Sequence, residues 1–513
     1  MTCQIIYDSF NSWHFVDNNS ISIDDPHHHK LFHQDIFDVQ TKEIYESTVR
    51  SSSIPGILII AGNKTYGRNS SGKLLYKCQP YDHLLPAFLV PYQLPHIGFS
   101  KIIPNLYVII RFFEWIDKHP IGKIHQTIGP IDILEHYFEY HLYCRNIFTS
   151  VQSFQKAISQ RIKQHHPMII NDNNDIFTID SQHTTDFDDA FSISDNTVTV
   201  YISNVVFGMD QFELWNVFSN RIATIYYPNN KKPMIPLSHA FCSLKVNEKR
   251  SALKMKVTYN AETITHIEFS IATIQVAHNY VYESPELLST SNYQRLRAVT
   301  QRFVVQYPQE NCDQIRNSHD VVAYWMIFMN QQCGHKLKET GGGVFRVSGT
   351  PLPVAMKHKI HYNYYHYSMM GGTYAPITSP LRRLIDLLNL IALQLGLGIE
   401  ISDNALSFYE KWTLQIDFIN STMIQIAKFQ SDCRLMQLCF GEYSNVMNES
   451  YSGILFHKTD LRDNWFQYMV YLPKLNISCR IRLREEYEEL TERQFRMFLF
   501  QHEQTFHKKI RIQ

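Results

Sequence analysis

The chain has 513 residues, which suggests about three domains and a substantial hydrophobic core. Lys and Arg together number 48, as do Asp and Glu, and this balance argues against a protein that coats nucleic acid with its whole outer surface. Nine cysteines stand without a Cys-x-x-Cys pair, which favours free thiols in a reducing compartment over disulfides or a zinc site.

The first segment, residues 1–55, is polar, and its pattern leaves its structure undetermined. It contains no basic stretch followed by an apolar core, and no run of about 18 apolar residues occurs along the chain. We therefore expect an intracellular, cytoplasmic protein without a membrane partner. The run His27, His28 and His29 is typical of a solvated loop, with a metal site as the alternative.

Short strand-like stretches come next. Residues 56–80 predict two strands around a Gly/Asn/Ser turn, and residues 87–90 and 107–112 predict two more. Several short strands over this length are typical of an OB-type barrel. Residues 131–148 have helical periodicity, and we expect them to link this barrel to the following domain.

The string GRNSSGKL at residues 67–74 nearly satisfies the P-loop pattern. However, Leu74 stands where Ser or Thr would hold Mg²⁺, and the strand-like residues after it end at Pro80. Since no helix follows to receive a phosphate at its N-terminus, the sequence argues against a nucleotide triphosphate site here.

A cluster of aspartates is the strongest chemical signal in the chain. The string TIDSQHTTDFDDA at residues 178–190 contains Asp180, Asp186, Asp188 and Asp189. Carboxylates this close repel one another by about 4 kcal/mol per close pair at an effective dielectric of about 20, unless cations lie between them. Strand-like residues on both sides indicate a turn held between strands. The simpler alternative is a solvated acidic loop.

The expected cation is Mg²⁺, with Mn²⁺ as the alternative. Oxygen ligands suit these ions, and no Cys or His stands at zinc spacing nearby. A calcium loop of the EF-hand type is excluded, because its glycine position falls on Phe191 and its glutamate position on Thr197.

A second chemical block, HYSMMGGTYAPITSPLRRLIDLL, spans residues 366–388. Ser379 is a good N-cap and Pro380 a good first helical residue, so we expect a helix to begin here. Arg382 and Arg383 would lie in its first turn, beside free N–H groups and the positive end of the helix dipole, and this predicts a phosphate site. The alternative is a surface helix with two solvated arginines.

Together the two blocks resemble the RNB domain of the ribonuclease II and ribonuclease R family. The resemblance implies an α+β multidomain protein that contains an RNB catalytic α/β domain at residues 166–448. An OB-type, cold-shock-like RNA-binding barrel with a linker helix is expected at residues 56–165, and a small, degenerate OB-type barrel at residues 449–513. We expect a monomer that acts on single-stranded RNA.

The resemblance also implies roles for individual residues. Arg382 falls on an arginine that contacts the scissile phosphate, and Arg383 is expected to brace the site together with Asp386. In the segment TIYYPNNKKPMIP, Tyr226 falls on an aromatic residue that stacks against RNA bases, and in ATIQVAHNYVYE, Tyr282 falls on a tyrosine near the bound 3′ end. Base stacking of this kind contributes roughly 1–3 kcal/mol per base and tolerates any sequence.

The implied activity is 3′→5′ exoribonuclease cleavage to nucleoside 5′-monophosphates with two metal ions. The main Mg²⁺ would be held by Asp180 and Asp189, and the second metal by Asp186 and Asp188. A catalytically weakened RNA-binding regulator is the first alternative, and a hydrolase of another phosphodiester, such as DNA, is the second.

Three departures from the family pattern predict an altered RNA clamp. Asn204 and Tyr324 stand where the family usually has acidic residues, and the segment from Tyr282 to Asn330 is shorter than usual.

Overall fold

The computed structural model describes residues 2–16, 25–94, 103–164, 169–172, 174–261, 263–309, 312–348, 365–370, 372–440, 449–461, 463–475, 477–502 and 505–512. The chain forms two compact units. The first comprises Met1–Phe148, Asp432–Val470 and Arg480–Gln513, and the second Thr149–Ser431 and Tyr471–Cys479. The boundaries of the four segments inferred from the sequence stay a prediction.

The N-terminal segment of the first unit is a small antiparallel sheet. Its elements are β1 (Thr2–Ser9), β2 (Ser12–Phe15), β3 (Ile36–Asp38), β4 (Ile44–Glu46) and the single-turn helix α1 (Thr48–Ser51). The strand order is β2-β1-β3-β4. Cys3, Ile5 and Tyr7 alternate toward a buried cluster, as the period of two in a strand requires.

The next five strands form a closed barrel in the order β5-β6-β7-β9-β8. They are β5 (Ile54–Ile59), β6 (Leu75–Pro80), β7 (Phe88–Pro91), β8 (Leu106–Glu114) and β9 (Ile121–Pro130), and the helix α2 (Leu134–Cys144) follows them. Leu58, Phe88 and Val108 are fully buried in its core. The predicted OB-type barrel is confirmed.

The second unit is built on a six-stranded sheet in the order β16-β15-β12-β11-β10-β17. The strands are β10 (Phe177–Asp180), β11 (Asp189–Ser194), β12 (Thr197–Ser203), β15 (Lys249–Asn260), β16 (Thr263–Gln275) and β17 (His278–Val281). Two hairpins accompany the sheet: β13 (Ile225–Tyr227) with β14 (Asn230–Lys232), and β18 (Phe345–Ser348) with β19 (Tyr365–Ser368).

Helices of this unit pack on the sheet in one hydrophobic core. They are α3 (Gln152–Arg161), α4 (Val205–Gln211), α5 (Ser238–Phe241), α6 (Pro285–Ser289), α7 (Ser291–Gln306), α8 (Ser318–Thr340), α9 (Leu384–Gly396), α10 (Asp403–Thr413) and α11 (Ile416–Phe440), of which α11 belongs to this unit only up to Ser431. Short 3₁₀ turns are at Ala61–Asn63, Ile162–Gln164, Trp215–Val217 and Pro473–Leu475. Helix α9 is buried at every residue from Leu384 to Gln394, as its apolar composition on all sides requires.

Five strands follow near the C-terminus, in the order β22-β21-β20-β23-β24. They are β20 (Ser450–Asp460), β21 (Phe466–Leu472), β22 (Ile477–Leu483), β23 (Glu492–His502) and β24 (Thr505–Ile512). Five is also the number of strands in an OB fold. Among the described residues, no helix combines the length and the apolar composition that a membrane crossing requires.

Candidate functional site

The acidic turn lies between two neighbouring strands of the six-stranded sheet. Strand β10 ends at Asp180 and strand β11 begins at Asp189, which confirms the predicted turn between strands. Strand β17 runs parallel to β10, and the Tyr282 N–H after it donates to the Asp180 carbonyl oxygen at 2.9 Å. The sheet therefore fixes both ends of the turn.

Asp188 joins the acidic turn to the second sequence block. Its Oδ1 accepts a hydrogen bond from the Leu381 N–H at 2.9 Å, and its Oδ2 accepts one from Arg382 Nε at 3.1 Å. Its own carbonyl oxygen accepts from the Ser203 N–H at 2.8 Å. The residue is only 3% exposed. Asp188 and Leu381, which are 193 positions apart in the chain, are thus in direct contact through this buried carboxylate.

Asp188, which is buried, and Asp180 and Asp189, which are partly buried, form a group in which each negative charge acts on the others. Burial raises the pKa of Asp188 to about 6, against the opposing effect of Arg382. Burial also raises the pKa of Asp180 and of Asp189, and repulsion from Asp188 adds to both shifts. A cation near this group would relieve the repulsion.

Asp186 lies in a different environment. Its Oδ2 bonds to Lys231 Nζ at 2.5 Å, and its Oδ1 accepts a hydrogen bond from Ser238 Oγ at 2.5 Å. Lys231 also donates to Thr185 Oγ1 at 2.8 Å. Sequence reasoning missed Lys231, whose only signal was its place in the segment that carries Tyr226.

The donor chemistry of the acidic group fits a hard divalent cation. Asp180 Oδ2 is buried, and no hydrogen-bond partner for it lies within the described part of the chain. Over the same residues, no three His, Cys, Asp or Glu side chains are arranged to hold a metal ion. Mg²⁺ commonly uses one or two carboxylates, several waters and phosphate oxygens of the substrate rather than an all-protein cage, so an incomplete set of protein ligands suits it.

The prediction of a helix that begins at Pro380 was wrong. Helix α9 begins at Leu384, and Arg383 before it has extended backbone angles (φ −138°, ψ 126°). Arg383 pairs with Ala223 in an isolated bridge, and the Leu384 N–H donates to the Ile222 carbonyl oxygen at 2.9 Å. These contacts hold the chain in an extended conformation where its local sequence favours a helix.

The two arginines therefore precede the first helical turn rather than lie in it, and the phosphate site expected at this helix start stays a prediction. Ser379 does not cap the helix; its N–H donates to the Asp386 carboxylate at 2.9 Å. Arg383 Nη2 bonds to the same carboxylate oxygen at 2.7 Å. Arg382 bonds to Asp188 and keeps 44% of its side chain exposed.

The two predicted RNA-contacting tyrosines have different surroundings. Tyr226 is on β13 and is 45% exposed. Partial burial raises its pKa, while the nearby charge of Arg382 lowers it. Tyr282 stacks on His319, with ring centres 3.7 Å apart and planes 13° from parallel. Burial raises the pKa of Tyr282, and the charges of Asp189 and Asp180 add to this shift.

The two unusual residues, Asn204 and Tyr324, are both buried. Asn204 Oδ1 accepts from the Phe207 N–H at 3.3 Å and from Gln394 Nε2 at 3.0 Å. The Tyr324 hydroxyl donates to the Tyr307 carbonyl oxygen at 3.1 Å. Both side chains support the fold from inside, and an effect of these positions on an RNA clamp stays a prediction.

Without divalent cations, the acidic group should make the protein less stable as the pH rises. Asp188 has a pKa of about 6 in the folded chain against a usual value of 3.8. The folded state therefore binds more protons between these values, and the stability that they contribute is lost as the pH rises through this window. Melting temperatures measured in EDTA should show a smaller decline for Asp188→Asn than for the unmodified chain. An equal or steeper decline in the variant would contradict this assignment.

Comparison with known proteins agrees with this geometry. The family model described as the RNB domain matches residues 171–315. The chain is 35% identical over 116 residues to Exoribonuclease 2 of Yersinia enterocolitica, a match that covers 21% of this chain and 18% of that protein. The chain thus matches less than a fifth of the length of this curated relative.

Two solved structures share the fold. RNase R of Mycoplasma genitalium, in complex with ribose-methylated single-stranded RNA, superimposes with a TM-score of 0.66 at 13% identity, covering 97% of this chain and 98% of that one. Yeast Ssd1, described as a pseudonuclease, gives a TM-score of 0.53 at 13% identity, covering 94% of this chain and 78% of that one. Residues 171–315 thus match the RNB domain, and the chain shares its fold with these two structures.

Proposed function

We propose that the protein is a 3′→5′ exoribonuclease that hydrolyses single-stranded RNA to nucleoside 5′-monophosphates. The observation that carries this proposal is the pair of hydrogen bonds that the Asp188 carboxylate accepts from the Leu381 N–H and from Arg382 Nε. It brings a buried acidic group and a half-exposed guanidinium together, which is the pairing that phosphodiester hydrolysis needs. The fold shared with an RNA-bound RNase R supports RNA as the substrate.

Asp180 and Asp189 would hold Mg²⁺, or alternatively Mn²⁺, together with waters and substrate oxygens, and Asp188 would add its negative charge beside them. The bound cation would supply a water of lowered pKa and neutralise charge on the scissile phosphate. Asp180 offers a buried carboxylate oxygen that has no hydrogen-bond partner within the described part of the chain. The sequence-based hypothesis adds a second cation at Asp186, whose present partners are Lys231 and Ser238.

Arg382 would contact the phosphate next to the bond that breaks. Its Nε is fixed by Asp188, so the guanidinium is already oriented before RNA binds. The exposed part of the side chain would donate to phosphate oxygens as negative charge develops on them. Removing one such donor lowers turnover by about a hundred- to a thousandfold in other enzymes.

Tyr226 and Tyr282 would hold the last nucleotides of the strand. The nearby charges of Arg382 and Asp188 affect the Tyr226 hydroxyl, and those of Asp189 and Asp180 affect the Tyr282 hydroxyl. Both aromatic rings therefore lie near the acidic group. Stacking on their faces tolerates any base, which suits an enzyme that removes nucleotides one at a time.

The proposal is tested with 5′-labelled single-stranded RNA and its DNA counterpart, each incubated with Mg²⁺ or with EDTA. We expect a ladder that shortens from the RNA 3′ end only with Mg²⁺, and nucleoside 5′-monophosphates as the released products. Internal cuts, equal attack on DNA, or full activity in EDTA would each disprove it.

A second function has one observation in its favour. The chain shares its fold with yeast Ssd1, described as a pseudonuclease, so an RNA-binding regulator with weakened catalysis is the alternative. The same assay separates the two functions, because a regulator would retain labelled RNA on a filter without shortening it.

A further inference from the structure

Lys231 and Tyr226 project from the same face of the β13–β14 hairpin. The two residues are direct cross-strand partners, and side chains of paired residues lie on one side of a two-stranded ribbon. Lys231 Nζ contacts Asp186 and Thr185, both in the acidic turn. The hairpin thus inserts a fixed positive charge into the turn that carries the four aspartates.

Asp186 has a cationic partner of its own, Lys231, just as Asp188 has Arg382. Lys231 lies 2.5 Å from one carboxylate oxygen and Ser238 Oγ 2.5 Å from the other. The ion pair is largely shielded from water, since the Asp186 side chain is only 16% exposed and that of Lys231 35%. Partly buried ion pairs are screened much less by salt than exposed ones.

The balance of charge also favours a single divalent cation. The Lys231 ammonium, the Arg382 guanidinium and one divalent ion would together balance the negative charge of the four carboxylates. A second divalent ion at Asp186 would have to displace the ammonium or lie beside it, and like charges at such distances repel strongly.

We propose that Lys231 is a positioning residue that occupies the second cation position of the site, so that the chain binds one divalent cation where the sequence suggested two. The inference rests on the proposed function, because it concerns the same phosphodiester site. Lys231 neutralises Asp186 and holds Tyr226 beside the acidic turn, and the remaining aspartates hold the metal.

The test is to count Mn²⁺ ions bound per chain by equilibrium dialysis of the full-length protein without RNA. We expect one ion for the unmodified chain and two for Lys231→Met, because the freed Asp186 then lacks a cation. Lys231→Arg should restore a count of one, and so should Lys231→Met combined with Asp186→Asn. A purely structural role of the hairpin would lower the count and could not raise it.

Lys232→Met is the matched control and should keep one ion. Lys232 follows on the same strand and therefore points to the opposite face of the hairpin, where its ammonium lies 6.0 Å from the centre of the Tyr227 ring. Circular dichroism of each variant would verify folding.

Two ions on the unmodified chain, or one ion on folded Lys231→Met, would overturn the role of Lys231. If the unmodified chain binds two ions and cleaves RNA, the proposed function stands and only the role of Lys231 is lost. If the chain binds no Mn²⁺ and cleaves no RNA, the proposed function fails and this inference fails with it.

Discussion

Replacing Asp188 with asparagine should lower RNA cleavage by about a hundred- to a thousandfold, the range seen when one group that stabilises the transition state is removed. The amide keeps the size of the side chain and an oxygen for the Leu381 N–H. Its NH₂ group, however, would face Arg382 Nε in place of the oxygen that now accepts that bond. The variant would therefore lose one negative charge of the cation site and the bond that orients Arg382. Single-turnover cleavage with Mg²⁺ measures this loss.

RNA binding and folding should survive in Asp188→Asn, because the substitution removes a buried negative charge without removing volume. Asp172→Asn is the control. Asp172 is another buried aspartate of the same unit, bonded to Lys254 at 2.5 Å and to the Tyr201 hydroxyl at 3.1 Å, and its replacement should spare cleavage. Asp188→Asn with more than a tenth of the original rate would rule out the role given to this carboxylate.

The largest loss of stability is expected for Asp386→Ala, about 3–5 kcal/mol in the free energy of unfolding. Asp386 is fully buried and accepts bonds from the Ser379 N–H and from Arg383. Truncation would leave the partly buried Arg383 guanidinium without its carboxylate and would free the loop that carries Arg382. Urea unfolding followed by circular dichroism measures the change.

Asp195→Ala provides the comparison for that variant. Asp195 pairs with Arg295 at 3.0 Å, but its side chain is fully exposed, and such pairs contribute about 0–1 kcal/mol. If Asp386→Ala, like Asp195→Ala, lowered the free energy of unfolding by less than about 1 kcal/mol, the buried Asp386–Arg383 pair would contribute no more to stability than an exposed pair.

The parts of the site that were predicted correctly have local causes. Alternating apolar residues on both sides of the aspartates indicated the flanking strands, and β10 and β11 have that pattern. Four of the five barrel strands were likewise predicted from short apolar runs separated by turn residues, whereas β9 (Ile121–Pro130) was missed. In each case the residues that decide the structure are neighbours in the sequence.

The features that were predicted wrongly or missed depend on contacts between residues that are far apart in the sequence. Ser379 and Pro380 are typical of a helix start, but residues 380–382 form only a turn, and pairing with Ala223 holds Arg383 in an extended conformation just before the helix begins at Leu384. The bond from Lys231 to Asp186 spans 45 residues, and no periodic pattern connects the two positions. Grouping of the first and last segments into one compact unit likewise leaves no trace in local composition.

Asp188 is held in part by a main-chain group, the N–H of Leu381. Every amino acid except proline carries this donor. During evolution, Leu381 can therefore be replaced by other apolar residues that fit the buried space, and the hydrogen bond from the main chain to Asp188 is kept. Only proline, which lacks the N–H, would abolish this hydrogen bond. Homologues with different side chains at this position can therefore hold the aspartate in the same way.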